Sequence, residues 1–123
     1  MYRQLNCNGS VLTYWCDGTG PAVVLLHGFG ETGAIWEGQI EPLSHYRLII
    51  PDLPGSGRSE MIADMSMEGL AETIRLLLQE LQVEQCVLIG HSMGGYIALA
   101  FFGKIPGVAG RYWPFSLHRI CRQ

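Results

Sequence analysis

The chain has 123 residues, 48% of them hydrophobic and 15% charged, which suits one globular domain with a real core and excludes a disordered segment. A formal net charge of −3 argues against a nucleic-acid footprint, and no apolar stretch approaches the ~18 residues that a membrane span needs. Cys7, Cys16, Cys86 and Cys121 form no CxxC pair and no metal-ligand spacing, and residues 1–6 hold no signal core, so reduced thiols, a cytoplasmic location, no metal and no cofactor are the expectations.

Residues 2–5 and 11–15 read as two short strands, joined through Asn8-Gly9, a dipeptide suited to the positive φ angles of a tight hairpin. Asp17-Gly18-Thr19-Gly20-Pro21 breaks regular structure. Residues 22–26 are an unbroken apolar run rich in Val and Leu, the pattern of a parallel strand buried on both faces, and they end at His27-Gly28-Phe29-Gly30. Residues 33–44 carry Ile35, Trp36, Ile40 and Leu43 with a weak helical period. Residues 47–50 form a second buried strand leading into Pro51-Asp52-Leu53-Pro54-Gly55-Ser56-Gly57. Met67, Leu70, Ala71, Ile74, Leu77, Leu78 and Leu81 recur at spacings of three and four, giving a helix with one continuous apolar face and Ser66 as its N-cap. Residues 86–89 are a third buried strand, and 93–102 a buried helix stopped by Gly103 and Pro106.

Strands alternating with helices predict parallel β-α-β units with right-handed crossovers. Ligands in such sheets bind beyond the carboxyl ends of the strands, where all three Gly-rich segments gather. On that rim Gly90-His91-Ser92-Met93-Gly94 follows a buried strand and opens a helix. A sharp strand-to-helix turn lifts a serine hydroxyl clear of the backbone and demands small residues two before and two after it; Gly90 and Gly94 meet that need. The helix N-terminus beside Ser92 favours a developing oxyanion. His27 reads as a strand-end histidine that hydrogen-bonds the loops and not as a base.

Leu25-Leu26-His27-Gly28-Phe29-Gly30, then Asp52-Leu53-Pro54-Gly55-Ser56-Gly57-Arg58-Ser59, then Gly90-His91-Ser92-Met93-Gly94-Gly95 together resemble the α/β-hydrolase superfamily in order and spacing, over about residues 10–106. The resemblance implies that Ser92 is the nucleophile and that the backbone N–H groups of Phe29 and Met93 form the oxyanion hole. It implies structural roles for Gly28, Gly90 and Gly94, a place beside the nucleophile for His91, and a loop tied together by Arg58 and Ser59. A small-molecule ester or acyl compound is the implied substrate, with no nucleic acid or membrane as partner.

The family pattern continues past the nucleophile with more strands, an acidic triad residue and a histidine. Residues 93–123 hold no Asp or Glu, and His118 is their one histidine, flanked by arginines. The fold expected is therefore a partial α/β-hydrolase, an N-terminal hairpin followed by parallel units up to the elbow helix, with the C-terminal strands missing and the chain inactive as given. Residues 1–106 carry eleven acidic and five basic residues, net −6, whereas 107–123 carry three arginines and no acid. Residues 111–116 show no strand alternation and include Pro114, so 107–123 read as an atypical tail and the strand at 86–89 as left with an open edge. A reading-frame shift between about Gly103 and Arg111 explains that change of character; a short protein with a divergent tail is the alternative, and the encoding DNA decides. A non-catalytic binding module on a shortened sheet, and a complementing polypeptide that supplies the missing half, are the rival functional readings.

Overall fold

A computed structural model describes residues 1–103, 111–112 and 116–122, the last two segments as backbone strands. The chain opens with a hairpin, β1 (Tyr2–Cys7) and β2 (Ser10–Asp17). Asn8 and Gly9 both take positive φ, 53° and 95°, as a two-residue turn of the twist-matching kind requires, and Asn6 Oδ1 accepts from Gly9 N at 2.7 Å.

Strand β3 (Ala22–Leu26) is buried along its whole length because it lies mid-sheet with cover on both faces. Its two-residue period divides it between two cores. Ala22, Val24 and Leu26 face helices α2 (Met67–Glu80) and α3 (Met93–Gly103), and Val23 and Leu25 pack with Leu48 and Ile50 on the other side. Strands β4 (Arg47–Pro51) and β5 (Gln85–His91) flank β3 in parallel register. The chain thus passes from β4 through α2 over β3 to β5, and the segments after β3, β4 and β5 meet at one rim.

Helix α2 follows its sequence pattern closely. Ser66 Oγ accepts from Gly69 N at 3.1 Å as the N-cap, and Leu70, Ile74, Leu77 and Leu78 are fully enclosed. Each such side chain contributes about 1.5–3 kcal/mol by leaving water. Helix α3 is apolar around its circumference and buries Ile97, Ala98, Phe101 and Phe102. No described helix is long and apolar enough to cross a membrane.

Two segments depart from expectation. Residues 33–44 form a 3₁₀ turn (Gly33–Trp36) and one turn of helix, α1 (Glu37–Ile40), in place of a full helix. Their apolar residues Trp36, Ile40 and Leu43 do reach the second core, so the period identified the inward face but not the length of the helix. The second departure is at the edge of β5. Strand β7 (Ser116–Arg122) runs antiparallel along the whole of β5, and β6 (Arg111–Tyr112) pairs with β7, completing the order β1-β2-β4-β3-β5-β7-β6. The edge of β5 is therefore paired and not open. An antiparallel partner needs no crossover helix, so a short return of chain suffices where a parallel neighbour needs a full β-α unit. No further parallel unit follows β5 among the described residues. Pro106, Pro114, the boundary at 106–107 and most of the span assigned to a frame shift lie outside the described residues.

Candidate functional site

The rim is built around Ser92, the residue between β5 and α3. Its φ is 55°, in the left-handed region that a non-glycine residue enters at a cost of order 1–3 kcal/mol. The turn holds because its neighbours interlock. A Cβ on Gly90 would run into the backbone of Gly94 and Gly95, and one on Gly94 would strike the carbonyl of Leu26 and come within 2.8 Å of His27 O. With hydrogen at both positions the first turn of α3 packs directly on the end of β3. Ser92 is exposed, and Met93 opens the helix with an amide that has no partner within it.

The loop after β3 approaches the elbow from the side. His27 is fully buried with both ring nitrogens engaged: Leu53 N donates to Nε2 at 2.9 Å, and Nδ1 lies 2.8 Å from Gly28 O. Because Nε2 accepts, Nδ1 carries the proton and donates. His27 therefore joins the β3 and β4 loops and is not available as a base, as its strand-end position suggested. Phe29 follows, with its side chain 86% exposed.

Two carboxylates on the rim loops, Asp52 and Glu31, hold loop amides. Asp52 Oδ1 accepts from Gly33 N at 2.9 Å and Oδ2 from Arg58 N at 3.0 Å, which ties the start of the 3₁₀ turn to the β4 loop. Ser59, also buried, bonds Asp52 O and Thr13 through its hydroxyl, whereas the Arg58 guanidinium lies 4.0 Å from the centre of the Tyr2 ring. So Ser59 binds the loop with its side chain and Arg58 with its backbone. Glu31 Oε1 accepts from Gly28 N at 2.8 Å and lies 3.0 Å from His91 Nδ1. That pair, sixty residues apart in sequence, has no local pattern that announces it.

The bond to His91 is the main reason that the Glu31 carboxyl is held below its ordinary value; the Gly28 amide acts the same way, and partial desolvation opposes both. A depressed carboxylate stabilises the fold above its unfolded pKa and loses that contribution as pH falls through the lower folded value. The exposure of both partners, 51% for His91 and 30% for Glu31, keeps the contribution small. His45 precedes β4 and so sits at the opposite rim, while the backbone of His118 lies on β7 across from Ile89.

Beside the elbow opens a cleft of about 600 Å³. Phe29, Met65, Met67, Leu70 and Met93 give it an apolar lining, and Glu31 supplies a charge at its edge. Its size falls within the range of small-molecule sites.

A family model described as the alpha/beta hydrolase fold matches residues 21–109. Over 84 residues the chain is 45% identical to the pimeloyl-(acyl-carrier protein) methyl ester esterase of Aeromonas salmonicida, covering 66% of this chain and 32% of that protein. Among solved structures it superposes on an epoxide hydrolase from Vigna radiata with a TM-score of 0.80 and 32% identity, over 86% of this chain and 36% of the other. It superposes equally on an N-acyl homoserine lactonase complexed with N-butanoyl homoserine, at a TM-score of 0.80 and 31% identity, over 86% and 41%. The chain spans about a third of the length of the curated relatives it matches, between 28% and 38%.

Proposed function

The chain belongs to the α/β-hydrolase fold family, and on that premise we propose that Ser92 is the nucleophile of a serine hydrolase acting on a carboxylic ester or similar acyl compound. The observation that carries this reading is the left-handed Ser92 at the β5–α3 turn, exposed and held there by glycine-to-backbone contacts. Strain kept at one exposed hydroxyl is what presenting a nucleophile requires. In this reading Ser92 Oγ attacks the acyl carbon, and the amides of Phe29 and Met93 receive the oxyanion. The apolar cleft takes the acyl portion. The names of the relatives, a methyl ester esterase and a lactonase, favour a small acyl substrate, and the cytoplasm is the proposed compartment.

The base and acid lie outside residues 1–103 in this proposal. His27 has both nitrogens bonded, His91 is paired with Glu31, and His45 is at the far rim. A serine without its base loses on the order of 10⁶-fold in rate. Added imidazole supplies a diffusible base, which gives the test. Without imidazole, p-nitrophenyl butyrate hydrolysis by the 123-residue chain should match that of Ser92→Ala. With high imidazole it should exceed the Ser92→Ala rate by about tenfold or more. No difference between the two proteins in imidazole overturns Ser92 as nucleophile. Turnover well above Ser92→Ala without imidazole overturns the missing base.

A further inference from the structure

We propose that Glu31 is a positioning residue: its carboxylate pins the loop after β3 to the nucleophile elbow and so fixes where the Phe29 N–H points relative to Ser92. The inference rests on the reading of Ser92 and Phe29 given above and adds what sets their spacing.

The geometry starts with the peptide between Gly28 and Phe29. It is trans, so its C=O and N–H point in opposite directions. The Gly28 carbonyl accepts from His27 Nδ1 at 2.8 Å and from Glu31 N at 3.2 Å. Holding that oxygen on the loop side leaves the Phe29 N–H facing away from it. The preceding peptide is fixed by the Glu31 side chain, whose Oε1 accepts from Gly28 N. The same oxygen accepts from His91 Nδ1, which must carry a proton because a carboxylate only accepts. His91 is the residue before Ser92. One carboxylate oxygen therefore bridges the two segments whose relative position decides whether an oxyanion meets its donors.

The approach is close. The vacant Cβ position of Gly28 lies 3.2 Å from Ser92 Cβ and 3.3 Å from His91 O, and Glu31 Oε1 borders the same space. The titratable groups facing Glu31 among the described residues are His91 and His27. Both Glu31 and His91 are substantially exposed, so the bridge adds little to global stability. A residue with little effect on stability and a large effect on local geometry separates positioning from a merely structural role.

Two measurements test the proposal. In amide NMR spectra of the 123-residue chain taken from neutral to acid pH, the Gly28, Phe29 and Met93 amides should shift with one shared midpoint below the ordinary glutamate range. Glu31→Gln should abolish that shared transition. Separate midpoints, or a transition that survives in Glu31→Gln, overturn the pin. In the imidazole-supported ester assay, Glu31→Ala should lose about tenfold, short of the ~10²-fold that a 1 Å misplacement costs. Glu31→Gln, which keeps an acceptor for Gly28 N and His91 Nδ1, should restore most of it, and both variants should melt within a few degrees of the parent. Equal losses in the two variants, or none in either, overturn the proposal. Failure of Ser92 as nucleophile shows as no Ser92-dependent rate in the parent, and the amide titration then decides the pin by itself.

Discussion

Gly94→Ala should destabilise the protein by about 3 kcal/mol, although the residue lies in a helix where alanine is intrinsically favoured by about 1 kcal/mol. The two effects have opposite signs, and the contact geometry decides between them. An added methyl at Gly94 meets the Leu26 carbonyl and comes within 2.8 Å of His27 O. Both are main-chain atoms of the central, fully buried strand or its first loop residue, so no side chain can swing aside. Relief requires α3 to lift from β3, which breaks the packing of Ile97 and Phe101 as well. Urea unfolding of the variant and the parent checks this; a change below about 1 kcal/mol means that the elbow helix is not seated on β3 as described.

The next largest effect is expected at His27. Replacement by alanine leaves the buried Leu53 N–H without its acceptor and opens a cavity under the two loops. An unsatisfied buried donor costs about 1–3 kcal/mol and the lost packing adds to it, for a total near 3 kcal/mol. The loss extends to function. Without the Nδ1–H the Gly28 carbonyl keeps only the 3.2 Å bond from Glu31 N, and the Phe29 amide loses its alignment. His27→Ala should therefore lower the imidazole-supported rate even at temperatures where it remains folded. His27→Gln, which carries both a donor and an acceptor, should recover part of both losses. A His27→Ala variant as stable and as reactive as the parent contradicts the two bonds assigned to this ring.

These expectations rest on features that differ in how far the sequence discloses them. The apolar run 22–26 discloses β3 because a strand covered on both faces has no polar side to alternate with. The spacing of Leu70, Ile74, Leu77 and Leu78 discloses α2 because packing on one face imposes its period on the chain. The elbow is legible because steric crowding at a sharp turn leaves glycine as the residue that fits at 90 and 94. Each is a local constraint recorded in neighbouring residues.

What stayed hidden depends on partners distant in sequence. Residues 33–44 show helical spacing, yet only one α-helical turn forms beyond the 3₁₀ segment; burying Trp36, Ile40 and Leu43 against the sheet needs no longer helix. The antiparallel docking of β7 on β5 is a pairing choice, and strand preference depends on the neighbour at hand more than on the strand itself. Glu31 and His91 meet because β3 and β5 are adjacent in the sheet, which no spacing within either motif records.

The most direct test of the account is covalent labelling of the 123-residue chain with a fluorophosphonate, followed by peptide mapping. The probe needs a serine presented to solvent beside oxyanion donors, which is the role assigned to the elbow. One adduct is expected, on Ser92, forming slowly, accelerated by imidazole and absent from Ser92→Ala. An adduct on another serine such as Ser56, or an unmodified Ser92 after prolonged exposure with imidazole, contradicts it.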